Sequence, residues 1–68
     1  MSDIPTDDPF NMSLRKFLKQ VGVSSQRAIE QTVETGRLRG KGRLKVRAVI
    51  SAEDTSLEHV VEGEIDLG

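Results

Sequence analysis

The residues that could do chemistry in this chain are few, and each stands apart from the partners that chemistry would require. His59 is the sole histidine, the usual residue for acid–base work near neutral pH. Neither a second histidine nor any cysteine accompanies it, so no catalytic dyad and no zinc ligand set can be built around it. Alternation along its strand puts His59 on an apolar face, as a structural or rim residue. Ser24 and Ser25 have no neighbouring base to activate them as nucleophiles, and helix capping accounts for them. Gly40-Lys41-Gly42 holds a fragment of a phosphate loop, without the full glycine spacing or the following Ser or Thr, and reads as a flexible connection. The carboxylates Glu62, Glu64 and Asp66 repeat every second residue along a strand, which sets them in a row instead of around one ion. Glu53 and Asp54 lie in a polar loop and read as solvated. No catalytic residue, cofactor site or metal site is assigned, and the chain reads as non-enzymatic.

Charge is the strongest signal. The net charge of −1 over 68 residues conceals three blocks. Residues 1–9 carry Asp3, Asp7 and Asp8; residues 10–47 carry all ten cations against Glu30 and Glu34; residues 48–68 carry only acidic charges, six of them. From Gly36 to Arg47 each odd position is a cation: Arg37, Arg39, Lys41, Arg43, Lys45 and Arg47. The even positions are Gly36, Leu38, Gly40, Gly42, Leu44 and Val46. Side chains alternate between faces along a strand, so this segment has one basic face and one apolar or minimal face. Glu58, Glu62, Glu64 and Asp66 form the matching acidic set among Leu57, His59, Val61, Gly63, Ile65 and Leu67.

Two alternating segments of opposite charge predict the arms of one antiparallel hairpin. With strands over Leu44–Ser51 and Leu57–Leu67 around the polar Glu53–Ser56 loop, Ala52 stands opposite Leu57. Counting back, Val49 faces Val60, Arg47 faces Glu62, Lys45 faces Glu64 and Arg43 faces Asp66. On the other face Ile50 meets His59, Ala48 meets Val61 and Leu44 meets Ile65. Exposed ion pairs contribute roughly 0.2–1 kcal/mol each, so the ladder selects register more than it supplies stability.

Upstream, the spacing predicts two short helices. Asn11 is an N-cap candidate with Phe10 before it as a hydrophobic staple. Leu14, Phe17, Leu18 and Val21 form a helical stripe, with Arg15, Lys16 and Lys19 on the other side, and Gly22 is the expected terminator. Ser24 caps a second helix, with Val23 and Ala28 in a staple pattern, Ile29 and Val33 on its buried side and Gly36 at its end. The expected fold is α+β, two short helices packed on one face of an antiparallel β-hairpin. Residues 1–9 are expected to form a disordered acidic tail and residues 10–68 a single helix-helix-hairpin domain. The expected core is Leu14, Phe17, Leu18, Val21, Ile29, Val33, Leu44, Val46, Ile50, Val61 and Ile65.

Asn11-Met12-Ser13-Leu14-Arg15-Lys16-Phe17-Leu18-Lys19, followed by Val21-Gly22-Val23 and Ser25-Gln26, resembles the opening of a small bacterial family of about this length. His59-Val60-Val61-Glu62-Gly63-Glu64-Ile65 resembles that family's ending. The family is an uncharacterised domain of unknown function, so the resemblance implies a compact helix-and-hairpin fold and carries over no catalytic residue, ligand or partner.

The longest apolar run is Ala48-Val49-Ile50, too short to span a membrane, and the absence of cysteine suits a reducing compartment. The expectation is a soluble cytoplasmic protein-interaction module, with a protein partner or a homo-oligomer. Val49 and Val60 make an apolar spot on the charged hairpin face, a candidate for self-association beside the open sheet edges. Nucleic acid is the alternative partner. A helix-turn-helix-like outline runs from Phe17 to Val33 with Gln26 and Arg27 near the start of its second helix. The contacting cations would be Arg15, Lys16, Lys19, Arg27, Arg37, Arg39 and Lys41, those outside the hairpin ladder.

Overall fold

A computed structural model of the chain describes residues 8–68. They divide into two compact units, one ending at Gly36 and the other running Arg37–Gly68. The first is a single α-helix, α1, over Pro9–Gly36. The second is an antiparallel hairpin of β1, Arg43–Ser51, and β2, Glu58–Asp66. The α+β class holds, with one helix where two were expected.

The helix starts earlier than Asn11. Met12 N–H donates to the Asp8 carbonyl at 2.9 Å, which makes Asp8 the capping residue. Pro9 takes the first helical position, where its fixed φ suits the helix and its missing N–H costs nothing. Asn11 is inside the first turn, and its Nδ2 donates to Asp8 Oδ2 at 3.2 Å. An aspartate at this end also meets the positive pole of the helix dipole. Residues 1–7 of the expected acidic tail lie outside the described residues.

The predicted break at Gly22-Val23-Ser24 does not occur. Gly22 keeps a helical backbone, since the glycines with positive φ are Gly40, Gly42 and Gly68. Ser24 does not cap a second helix; its Oγ donates to the Gln20 carbonyl one turn back at 2.8 Å. Thr32 does the same to Ala28 at 2.9 Å, the usual behaviour of a hydroxyl in a helix interior. Glycine inside a helix costs about 1 kcal/mol against alanine. A break would instead leave several N–H and C=O groups without partners at two new ends, a larger penalty.

With one continuous helix among the described residues, no second helix folds against its apolar stripe, and burial changes accordingly. Val33 alone among the described residues is in the buried class, at 7% exposure. Val21, Ile29, Leu44, Val46, Ile50 and Ile65 are half-buried. Leu14, Phe17, Leu18 and Val61, expected in the core, are exposed, Phe17 at 52% and Val61 also at 52%.

The hairpin has the predicted register throughout: Arg43 opposite Asp66, Lys45 opposite Glu64, Arg47 opposite Glu62 and Val49 opposite Val60, with Leu44–Ile65 and Ala48–Val61 on the other face. Its closing turn is held by Thr55, whose Oγ1 donates to the Ala52 carbonyl at 2.9 Å and accepts from Leu57 N–H at 3.1 Å. Asp54 takes φ 60°, a left-handed conformation that aspartate tolerates. At the open end, Leu67 N–H donates to the Gly42 carbonyl at 2.8 Å and Gly40 N–H to the Leu67 carbonyl at 2.6 Å. Gly40 and Gly42, at φ 80° and 91°, provide the left-handed backbone these bonds need. Past the helix, the left-handed residue is Arg37 at φ 53°, not Gly36.

These positions predict opposite signs for the same substitution. Gly22→Ala meets nothing within 4 Å and should stabilise by about 0.5–1 kcal/mol. Gly42→Ala should destabilise by roughly 1–2 kcal/mol because a Cβ is strained at that φ. Thermal melts of the two variants read both effects.

Candidate nucleic-acid and protein-interaction surfaces

The structure distributes the seven proposed nucleic-acid contacts over the two units. On the helix, Arg15, Lys16 and Lys19 are exposed within about one turn of each other. Arg27 is exposed two turns further on, in the half of the helix that holds Glu30 and Glu34. Gln26 Nε2 donates to Glu30 Oε2 at 3.2 Å, which fixes that carboxylate on the helix surface. Arg37, Arg39 and Lys41 belong to the hairpin unit, exposed in the segment that leads into β1, where Lys41 N–H donates to the Leu38 carbonyl at 3.1 Å. Arg39 and Glu34 each have an interaction of their own.

The helix-turn-helix outline is corrected by the same continuity that merges the helices. A reading helix needs a turn to set it at an angle, and residues 22–24 are helical. Gln26 and Arg27 therefore lie mid-helix, not at an N-terminus that could point into a groove.

On the hairpin the charged face is a row of ion-pair neighbours. Arg43 Nη1 lies 3.2 Å from Glu64 Oε1, a diagonal pair and not the directly opposed one. Asp66, the residue opposite Arg43, accepts instead from Gly68 N–H at 3.0 Å through Oδ1. Strand twist brings such diagonal neighbours within reach of a long side chain. With 70% and 45% of the two side chains exposed, this contact orients more than it stabilises. A shallow, open depression over the middle of the hairpin is lined by Lys45, Val46, Arg47, Glu62, Gly63 and Glu64. Gly63 leaves the place opposite Val46 without a side chain. Charges of both signs around it make a poor seat for a polyanion.

Val49 and Val60 are cross-strand partners on this charged face, 50% and 46% exposed, as the alternation required. Among the described residues, each strand of the two-stranded sheet has one edge with no strand paired to it. His59 is exposed opposite Ile50. Among the described residues no group of three His, Cys, Asp or Glu side chains is placed to hold a metal ion. No helix among them is long and apolar enough to cross a membrane.

The surface that spacing misassigned is the helix stripe. Phe10, Leu14, Phe17 and Leu18 are 67%, 40%, 52% and 45% exposed, a run of large apolar side chains open to solvent. Its continuity was visible as alternating steps of four and three through Leu14, Leu18, Val21, Ser25, Ala28 and Thr32, in phase across Gly22.

The family model for a family of unknown function, DUF6494, matches residues 2–68, and the chain belongs to that family. No curated protein and no solved structure matches it.

Reversal of one rung tests the ladder. Lys45→Glu should lower stability by under about 1 kcal/mol, and adding Glu64→Lys should restore it. Melts at low and high salt read the change, which should shrink as salt rises.

Proposed function

We propose that this chain is a small, cytoplasmic, non-enzymatic protein-interaction module whose contact surface is the apolar stripe of α1. The observation that carries the proposal is the mismatch between apolar patterning and burial. A 28-residue amphipathic helix holds a single buried residue, Val33, while Phe10, Leu14, Phe17 and Leu18 stay accessible. Covering each half-exposed side chain of this kind contributes on the order of 1 kcal/mol, at about 25 cal/mol per Å² removed from water. Small domains commonly rely on a partner when their own core is this thin. Contiguous apolar patches rimmed by charge are characteristic of protein contacts. The cysteine-free composition supports a reducing compartment.

Nucleic-acid binding is the competing outcome, and salt distinguishes it. Under the protein-interaction reading, mixed duplex DNA and structured RNA bind weakly at physiological salt. Submicromolar binding that falls steeply with salt, and is abolished by Arg15→Ala, Lys16→Ala and Lys19→Ala together, would overturn the reading. Fluorescence anisotropy with labelled duplex and hairpin probes makes the measurement.

A further inference from the structure

We infer that the hairpin takes up β2 of a second copy of this chain along the open edge of its own β1, the two strands antiparallel and in the register of the hairpin itself. This goes beyond the reading of α1 and uses a different surface.

The phase of the hydrogen bonds carries the inference. Bonded and non-bonded residue pairs alternate along an antiparallel ladder. At the open end the bond runs from Leu67 N–H to the Gly42 carbonyl, one step beyond the Arg43–Asp66 pair. At the turn Thr55 Oγ1 bridges Leu57 N–H and the Ala52 carbonyl, one step beyond Ser51–Glu58. Both ends give the same phase, so Leu44–Ile65, Val46–Gly63, Ala48–Val61 and Ile50–His59 are the pairs bonded internally. The peptide groups of Arg43, Lys45, Arg47 and Val49 on β1 then point outward, as do those of Asp66, Glu64, Glu62 and Val60 on β2. Each edge therefore presents its backbone at the residues of the charged face, cations along one edge and carboxylates along the other.

That coincidence selects the occupant. A strand bonded to the β1 edge sets its own outward-pointing residues directly opposite Arg43, Lys45, Arg47 and Val49, with their side chains on the same face. A second β1 would set cation against cation there, and β2 on β2 would set carboxylate against carboxylate. Edges of like kind are thus kept apart, which is how charge guards an open strand. β2 of another copy instead brings Asp66, Glu64, Glu62 and Val60, in the order that already matches β1 within the hairpin. A slip of two residues would put Val49 opposite Glu62 or Glu58, and a slip of one would exchange the two faces. In register, the half-exposed Val49 and Val60 cover one another between copies. The contact joins unlike edges and leaves an open edge at each end, so association does not close at two copies.

Analytical ultracentrifugation of the full chain at low salt tests this. The average mass should rise with concentration past twice the 7.5 kDa of one chain, and fall as salt screens the rungs. Lys45→Pro removes an outward N–H and no internal bond, so it should weaken association several-fold while cross-strand NMR contacts show the hairpin intact. Phe17→Glu, which alters the helix stripe, should leave the assembly unchanged. A swapped chain carrying Arg43→Glu, Lys45→Glu, Arg47→Glu, Glu62→Lys, Glu64→Lys and Asp66→Lys keeps unlike charges opposed within and between copies. It should assemble by itself, and energy transfer between labelled chains should show that natural and swapped copies do not mix. A mass of one chain up to millimolar concentration overturns the inference, as does assembly indifferent to Lys45→Pro. Natural and swapped chains that associate better together than apart overturn it too, since only pairing of like edges gains from the swap. Loss of assembly in Phe17→Glu would place the contact on α1, overturning this inference and leaving the α1 reading standing.

Discussion

Backbone hydrogen bonding is satisfied locally in this chain, and the rest of its behaviour depends on that. α1 closes its own ladder over 28 residues, capped by Asp8 and Pro9, and the hairpin closes nine residue pairs between adjacent strands. Neither needs a long-range contact to satisfy its peptide groups. What local closure does not provide is cover for apolar side chains. A helix cannot bury its own stripe, and a two-stranded sheet is marginal without something against its apolar face. The chain is thus rich in secondary structure and poor in core, with Val33 the one buried residue among those described.

The segregation of charge follows the same division. In the hairpin it is resolved within the unit, because cations on β1 stand opposite carboxylates on β2 and one register matches three charged rungs. The basic middle of the sequence is therefore a weaker sign of a polyanion partner than its run of cations suggests. In the helix the charges are spread along the axis, with Arg15, Lys16 and Lys19 first and Arg27, Glu30 and Glu34 later. The accessible side chains Leu14, Phe17 and Leu18 lie on the other side of α1 from Lys16 and Lys19.

The candidate surfaces were legible to different degrees. Val49 and Val60 were placed on the charged face by alternation alone, and the structure puts them there as direct partners. Leu14, Phe17 and Leu18 were recognised as one face of a helix, and their periodicity was right; their assignment to a core was not. Periodicity reports which side chains share a face and is silent on what lies opposite. The helix break at Gly22 was read from a residue type that ends helices only when it adopts a left-handed backbone, and here it does not. Asp8-Pro9, the stronger start signal, was hidden among acidic residues taken for a tail.

The sequence by itself determined the hairpin, down to each rung, because a period of two fixes which side chains face together and a shift of one residue would exchange the charged and apolar faces. It also determined that residues 10–36 are helical and amphipathic, apart from the turn wrongly placed within them. Only the three-dimensional structure decided that the helix is continuous and its stripe accessible. The choice between a break and a continuous helix at Gly22 compares about 1 kcal/mol of glycine cost with the loss of several backbone hydrogen bonds, and this comparison appears only once the whole ladder is built.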